Sequence, residues 1–215
     1  MAELQPTFII QFGMNYFVTA IGTDSGKTIV SAILCRALKA DYWKPVQSGT
    51  PHDSDTIRLL LGNRIKVHKE QFVFKAAASP HAAAALENVT IHLDDFDEPW
   101  HQEDLVIEGA GGCLVPLNNE NFVIELAFKF NAHVILVSNI YLGSINHTLL
   151  SYEALMSRKL KVAGIVFNGP RNDETEQIIL RHTKLPCLLR IDQELAFDTA
   201  MVSKYSKLLT HPGNG

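Results

Sequence analysis

Residues 19–28, with the sequence TAIGTDSGKT, have the composition and spacing of a phosphate-binding loop. Small residues let backbone N–H groups approach a phosphate chain. The ending Gly26-Lys27-Thr28 supplies an ammonium group for the outer phosphates and a hydroxyl for Mg²⁺. An apolar run at residues 16–18 precedes the segment, and a helical pattern follows it. This context favours phosphate binding over a glycine-rich turn that contains G-K-T by chance.

The loop departs from the common pattern G-x-x-x-x-G-K-[ST]. Ile21 stands where that pattern has its first glycine, and the loop carries Gly22 and Thr23-Asp24 instead. We therefore predict a deviant type of P-loop. Ala20 fits the end of the preceding strand if its φ angle is negative.

Polar residues also follow the later apolar runs. Lys44 to Gly49 follow the second run, Glu108 to Gly112 the third, and Asn139 and Asn168-Gly169 two later ones. In an open parallel sheet, ligands bind at the carboxyl ends of the strands. The repeated placement of polar residues there predicts a binding site at this edge.

Several of these residues allow two interpretations. Lys44 is either a surface lysine or an ammonium group aimed at an anionic substrate or the γ-phosphate, and we favour the second. The segment Asp53-Ser54-Asp55 either caps a helix or supplies a carboxylate to Mg²⁺. Glu108 is typical of a metal-side carboxylate, because a buried acid without a cation is costly. Asn168 either caps a turn or contacts a purine edge.

Alternating strand and helix patterns predict an α/β fold with a doubly wound, mostly parallel sheet and helices on both faces. Apolar runs typical of buried strands occur at residues 16–18, 42–43, 105–107, 134–137, 162–167 and 187–191, with a short strand at 72–74. Helical spacing begins near Val30, Val123, Ile145 and Met201. Asp173 with Glu176 resembles a capping box, and Ser79-Pro80 resembles a helix start.

The length and composition of the chain predict one domain over residues 14–215. Residues 1–13 are predicted to be an extension, in which residues 7–10 could form an edge strand. The net charge of −4 gives no reason to expect nucleic acid or an anionic membrane as partner. No apolar run approaches the roughly 20 residues of a membrane span. Three distant cysteines, Cys35, Cys113 and Cys187, are typical of free thiols in the cytoplasm.

The chain resembles the dethiobiotin synthetase family, ATP-dependent ligases that act in biotin synthesis. The resemblance runs from Tyr16 to the last helix. It is carried by residues 19–28, WKPVQSG at 43–49, Ser54-Asp55, SPH at 79–81, VIEGAGG at 106–112, LGSINH at 142–147 and Asn168. In this order and spacing the motifs are specific to the family.

The resemblance implies a role for each matching position. Lys44, Lys27 and Thr23 would be catalytic, and Thr28, Asp55 and Glu108 would hold Mg²⁺. The substrate-binding residues would be Ser48, Thr23 and Lys44, together with Ser144 and Asn146. ATP would contact Asp24, Ser25, Gly26, Lys27, Thr28, Ile29, Asp55, Glu108, Gly109, Ala110, Gly111, Asn168 and Gly169. The implied substrates are 7,8-diaminononanoate, CO₂ and ATP, in a homodimer with the substrate site at its interface.

Related proteins carry out two other functions, which are the alternatives for this chain. Partition or positioning ATPases of the same superfamily need a lysine near the start of the loop, and residues 14–26 contain none. Amidating enzymes of the cobyrinate type need a further glutamine-hydrolysing domain, for which 215 residues leave no room. Both are therefore disfavoured.

Overall fold

The structure is a computed structural model that describes residues 13–209. The edge strand considered at residues 7–10 lies outside the described residues, as does the predicted extension up to residue 12. The strands are β1 Asn15–Ala20, β2 Asp41–Trp43, β3 Val46–Ser48, β4 Phe72–Phe74, β5 Leu105–Glu108, β6 His133–Asn139, β7 Val162–Asn168 and β8 Cys187–Ile191. The helices are α1 Lys27–Leu38, α2 Asp53–Leu61, α3 Pro80–Leu86, α4 Glu125–Lys129, α5 Ser144–Ser157, α6 Asp173–Thr183 and α7 Thr199–Ser206.

Six strands form a parallel sheet in the order β2-β5-β1-β6-β7-β8. β1 lies inside the sheet, so the loop that follows it opens at the middle of the carboxyl edge. The connection after β1 leads to β2 on one side, whereas the connection after β6 leads to β7 on the other. Ligands bind at such reversals of strand order. The predicted fold class is confirmed.

Side chains alternate between the two faces of the sheet, and helices cover both. Tyr16, Val18 and Ala20 of β1 pack with α1, α2 and α7 in one buried cluster. Phe17 packs in a second cluster with residues of α3, α4, α5 and α6 on the opposite face. This alternation follows from the two-residue period of a strand. It fixes which strand residues point toward α1 and the phosphate loop.

The strand register places two functional residues at the same level. Trp43 of β2 pairs with Ile107 of β5, so the next residues, Lys44 and Glu108, lie side by side. Glu108 in turn pairs with Val18 of β1. The sheet thus carries a lysine and a glutamate to its carboxyl edge beside the loop that follows β1.

The structure corrects four local predictions. The cap of α6 is Asn172, whose side chain accepts from the N–H of Thr175, so the capping box at Asp173 was one residue late. The helix expected from Val123 to Phe130 is reduced to the five residues of α4. Strand β3 was not predicted, and it pairs with β4 in a separate two-stranded sheet. His52 occupies the cap position of α2 without a capping bond from its side chain, and Asp53 is the first helical residue.

Three other expectations, on the start of α3, on Ala20 and on the cysteines, are confirmed. Ser79 and Pro80 occupy the cap and first position of α3, although the serine side chain makes no capping bond. Ala20 is not among the described residues with positive φ. Cys35, Cys113 and Cys187 are free thiols. Within residues 13–209, none of the helices has the length and apolar character that crossing a membrane requires.

Candidate active site

The loop between β1 and α1 is held in shape by its own hydrogen bonds. The Ser25 hydroxyl and the Lys27 ammonium group both donate to the carbonyl of Gly22, at 3.1 and 3.2 Å. Gly26 caps α1 with φ 95°, and a Cβ at that position would collide with the amide of Asn168. Glycine is therefore required there for two reasons. The first N–H groups of α1 stay available for an anion, as in other helix N-termini.

Lys44 forms a buried ion-pair cluster with two carboxylates. Its ammonium nitrogen lies 2.6 Å from Asp53 Oδ2 and 3.2 Å from Glu108 Oε1. It also donates to the carbonyl oxygen of Gly109 at 3.0 Å. An ammonium group has three N–H donors, and here each has one acceptor. Lys44 and Glu108 are almost fully buried, which makes this the most strongly charged part of the described interior.

The electrostatics of the cluster keep Lys44 and Asp53 charged. Burial alone would lower the pKa of Lys44, but the charges of Glu108 and Asp53 outweigh it and raise that pKa. Burial acts to raise the pKa of Asp53, and the neighbouring Lys44 ammonium reverses this and lowers it. Lys27 differs, because burial and the nearby charge of Lys44 lower its pKa. Two lysines therefore lie beside the loop, and the charge of Lys44 is paired with that of Asp53 and Glu108.

Thr28 brings a third oxygen to the cluster. Its hydroxyl oxygen lies 2.9 Å from Glu108 Oε1 and 3.1 Å from Asp53 Oδ1. A hydroxyl has one hydrogen, so it donates to only one of these two carboxylates at a time. The contact between the Thr28 oxygen and the other carboxylate then has no proton between its two oxygens. A cation bound there would attract all three oxygens.

The donor set fits Mg²⁺ bound together with a nucleotide. Mg²⁺ prefers oxygen ligands and is usually held by one or two carboxylates plus substrate phosphates. Thr28, Asp53 and Glu108 supply such oxygens next to the phosphate loop. Between residues 13 and 209, no group of three or more His, Cys, Asp or Glu side chains is placed to hold a metal.

Tyr42 completes the surroundings of Glu108 from inside the protein. Its hydroxyl donates to Glu108 Oε2 at 2.9 Å, and its side chain is fully buried. Burial and the charge of Glu108 raise the pKa of Tyr42 well above its ordinary value, so the hydroxyl keeps its proton. Glu108 therefore has one oxygen facing Tyr42 and the other facing Thr28 and Lys44.

A cavity of about 770 Å³ opens beside this cluster. It is bounded by the phosphate loop, the segment after β2, the start of α2, the start of α3 and the loop after β5. Eleven of the residues proposed from the sequence line it: Thr23, Asp24, Gly26, Lys27, Thr28, Ile29, Lys44, Ser48, Glu108, Ala110 and Gly111. The hydroxyl oxygen of Ser48 is buried and has no hydrogen-bond partner in the described part of the chain.

The structure does not bring Asp55 to this cavity, which corrects the sequence-based choice of carboxylate. Asp55 is exposed and pairs with Arg58 on the outer side of α2, at 2.8 Å. Asp53 contacts Thr28 and Lys44 instead. The side chain of Gln47 fixes this arrangement, since its oxygen accepts from the backbone N–H of Asp53 at 3.2 Å.

Asn168 and Gly169 lie beside the phosphate loop rather than in the cavity. The Asn168 amide donates to the carbonyl of Ser25 at 3.0 Å and so braces the loop. The carbonyl of Gly169 accepts from Arg190 at 3.0 Å. Neither contact tests the expected role of these residues toward adenine.

Ser144 and Asn146 lie elsewhere in the same chain. Asn146 lines a separate surface cavity of about 720 Å³ at the start of α5, which shares no lining residue with the cavity at the phosphate loop. The Ser144 hydroxyl is buried and has no partner in the described residues. Within a single chain, these two residues are therefore not part of the cluster around Lys44.

Three contributors were not recognised from the sequence: Asp53 as the inner carboxylate, Tyr42 and Gln47. The inward position of Asp53 could have been predicted from the helical spacing, because Ile57 and Leu61 lie one and two turns after it on the buried face of α2. Tyr42 and Lys44 share one side of the chain by the two-residue period of a strand. Gln47 had no local signal, since its partner depends on the path of the following loop.

Known proteins with similar sequences cover nearly the whole chain. The family model described as "AAA domain" matches residues 14–200. An ATP-dependent dethiobiotin synthetase of Cytophaga hutchinsonii is 55% identical over 89% of this chain and 95% of its own length. One from Christiangramia forsetii is 45% identical over 90% of this chain and 94% of its own. The chain belongs to the dethiobiotin synthetase family. It is thus a ligase, and the membership implies that it uses ATP.

A solved structure extends the comparison to the fold. The ParA family ATPase from Chlorobium tepidum aligns with 90% of this chain and 98% of its own, with a TM-score of 0.54 and 11% identity. At that identity the likeness concerns the fold alone. This chain therefore shares its fold with that ParA family ATPase.

Replacing Lys44 by Gln should destabilise the protein in a pH-dependent way. The variant leaves Asp53 and Glu108 without their cation, which should cost about 3 kcal/mol near pH 8. In the wild type, the raised pKa of Lys44 and the lowered pKa of Asp53 keep the pair charged from about pH 5 to 9. In the variant, protonation of a carboxylate relieves the repulsion, so the deficit should shrink as the pH falls toward 5.

Denaturant unfolding at several pH values measures this difference. The matched control is Arg58→Met, which breaks the exposed pair with Asp55 and should cost less than about 1 kcal/mol at every pH. Equal stability losses for the two variants would contradict the assignment of Lys44 to a buried charge cluster.

Proposed function

We propose that the chain catalyses the ATP-dependent closure of a cyclic urea from 7,8-diaminononanoate and CO₂, forming dethiobiotin. Its family membership already places it in biotin synthesis. The observation that carries the specific proposal is the buried Lys44 ammonium group beside a phosphate loop, in a cavity large enough for two ligands. Positive charge and oxygen ligands in one cavity suit phosphoryl transfer.

The phosphate loop would hold the triphosphate of ATP. The N–H groups at the start of α1 and the Lys27 ammonium group lie on one side of the cavity and provide positive potential. The residues of the loop, from Asp24 to Ile29, are those that the family resemblance assigns to ATP. The backbone of residues 108–111 lies across the cavity and would approach the nucleotide, with Asn168 and Gly169 proposed for the adenine.

Mg²⁺ would be held by Thr28, Asp53 and Glu108. The Thr28 hydroxyl oxygen already lies 3.1 Å from Asp53 Oδ1 and 2.9 Å from Glu108 Oε1. When bound, Mg²⁺ would neutralise phosphate charge and polarise the transferring phosphoryl group. Lys44, whose ammonium group lies against both of these carboxylates, would offer its charge to the γ-phosphate of the bound nucleotide.

The chemistry starts with capture of CO₂ by one amine of the substrate. The amine nitrogen bonds to the carbon of CO₂ and loses a proton, which gives a carbamate. A carbamate is a poor electrophile because it is anionic and lacks a good leaving group. A carbamate oxygen then takes the γ-phosphoryl group of ATP, releasing ADP and forming a carbamic–phosphoric anhydride.

The second amine closes the ring. Its nitrogen attacks the carbonyl carbon, the bond from carbon to the phosphate oxygen breaks, and inorganic phosphate leaves with one proton lost from the amine. The protein contributes position and charge: Lys44 and Lys27 offset the charge of the transferring group. Thr23 and Ser48 would orient the diamine, and the unpartnered Ser48 hydroxyl supports this role.

We further propose a homodimer in which Ser144 and Asn146 reach the substrate carboxylate of the neighbouring chain. Apolar side chains around the start of α5 are exposed: Tyr141, Leu142, Ile145 and Leu150. A contiguous apolar surface is typical of an interaction site.

We also propose that the protein is located in the cytoplasm. The three free thiols support this, because the reducing cytoplasm keeps cysteines unpaired.

The product assay tests the proposed reaction. Purified protein with Mg-ATP, bicarbonate and 7,8-diaminononanoate should form dethiobiotin, identified by mass, with one phosphate released per ring. Lys44→Gln should lower turnover about 10³-fold because a charge that offsets the transferring group is lost. Its Mg-ATP affinity should stay within a few-fold, since Lys27 remains. The assay is run at a temperature where the variant is folded.

Two results of that assay would contradict the proposal. Near-normal turnover in Lys44→Gln would remove Lys44 from the mechanism. ATP hydrolysis by the wild type that is indifferent to diaminononanoate and bicarbonate, with no cyclic product, would overturn the reaction itself and favour a nucleotide-switched ATPase.

The two aspartates of α2 give a matched pair of variants for the metal site. Asp53→Asn should raise the Mg²⁺ concentration needed for tight ADP binding at least about tenfold, because a proposed ligand is lost. Asp55→Asn should leave it unchanged, since Asp55 pairs with Arg58 outside the cavity. Calorimetric titration of ADP at a series of Mg²⁺ concentrations measures both, and the reverse ranking would restore Asp55 as the ligand.

Light scattering tests the dimer. The wild type should show twice the mass of the chain, whereas Leu142→Glu should show a larger monomer fraction because a charge enters the apolar contact. Leu59→Glu is the control, since Leu59 is also exposed but lies on α2, over the opposite face of the sheet. A monomeric wild type at assay concentrations would exclude a shared site.

A further inference from the structure

Tyr42 contacts the proposed metal site from the core side and is not one of the motif residues. Its side chain has no exposed surface and packs in the cluster formed by α1 and α2 against the sheet. Only its hydroxyl meets a charged group, Glu108 Oε2, at 2.9 Å. The ring is thus fixed by packing, and the position of its hydroxyl is fixed with it.

This contact divides the two oxygens of Glu108 between two tasks. Oε2 accepts from Tyr42 inside the protein. Oε1 lies 2.9 Å from the Thr28 hydroxyl and 3.2 Å from the Lys44 ammonium group. A carboxylate turns easily about its last bond, because that torsion has only broad preferences. The Tyr42 hydroxyl restricts this rotation.

We propose that Tyr42 is a positioning residue that holds Glu108 with a single oxygen, Oε1, directed at the metal and phosphate site. The proposal rests on the function proposed above, in which Glu108 is a ligand of Mg²⁺. Groups that hydrogen-bond a metal ligand from behind orient it and tune its affinity. Without the hydroxyl, Oε2 would be buried without a donor and would compete for Lys44.

A purely structural role makes a different prediction. A buried tyrosine needs a hydrogen-bond partner for its hydroxyl, and any acceptor would serve for stability. On that basis, loss of the hydroxyl would lower the melting temperature and leave metal dependence alone. Positioning of Glu108 requires that the dependence of nucleotide binding on Mg²⁺ changes as well.

Tyr42→Phe removes the hydroxyl and keeps the ring. Calorimetric titration of the full chain with ADP, at Mg²⁺ concentrations from none to saturating, gives the Mg²⁺ concentration at which half of the gain in affinity is reached. We expect this midpoint to rise about tenfold in the variant. ADP affinity without Mg²⁺ should stay within about twofold, since the phosphate loop is untouched.

Tyr205→Phe is the matched control. Tyr205 is also buried, and its hydroxyl donates to a glutamate, Glu194, at 2.6 Å, beside α7 and away from the cavity. Its loss should lower stability without moving the Mg²⁺ midpoint. An unchanged midpoint in Tyr42→Phe, or equal changes in both variants, would overturn the inference.

The wild type separates failure of this inference from failure of the proposed function. ADP binding that does not respond to Mg²⁺ in the wild type would exclude the metal site itself. If Tyr42→Phe does not fold, a crystal structure of the wild type with Mg-ADP decides. The proposal is supported if Glu108 Oε2 accepts a hydrogen bond from Tyr42 in that structure while Glu108 Oε1 faces the metal. It is overturned if Glu108 has turned away from Tyr42.

Discussion

The buried charge of Lys44 is the constraint on which the site depends. An ammonium group out of water is tolerated only if acceptors surround it, and this one has two carboxylates and a carbonyl. One carboxylate comes from β5 and the other from α2, so the sheet edge and α2 must be held together. The register between β2 and β5 supplies the first contact, and the Gln47 side chain fixes the start of α2 for the second.

The same constraint bears on the proposed binding of Mg-ATP. Each N–H donor of Lys44 has an acceptor in the protein alone, but Thr28 has one proton for two carboxylate oxygens. On the proposed function, Asp53 and Glu108 would hold Mg²⁺, and Lys44, which lies against both carboxylates, would offer its charge to the transferring phosphoryl group. Tyr42, which donates to Glu108 Oε2, would keep that carboxylate in place.

Much of the fold could be predicted from the sequence, because apolar runs and helical spacing reflect burial directly. The order of motifs at successive strand ends also predicted that Lys27, Lys44 and Glu108 meet. Asp55 was preferred to Asp53 because the family resemblance pointed to the pair Ser54-Asp55, whereas in the structure Asp53 contacts Thr28 and Lys44 and Asp55 pairs with Arg58. β3, Gln47 and Tyr42 depend on the path of a loop and on contacts between distant segments, which no local pattern encodes.

The central step of the proposed mechanism, transfer of the γ-phosphoryl group to a carbamate oxygen, would leave an isotopic record. On that mechanism, phosphate departs with an oxygen that came from CO₂ when the second amine closes the ring. A brief reaction with ¹⁸O-labelled CO₂ in ordinary water should therefore release phosphate that carries one labelled oxygen for each ring formed. Dethiobiotin formation with unlabelled phosphate, under conditions where the CO₂ is shown to retain its label, would contradict carbamate activation in this cavity.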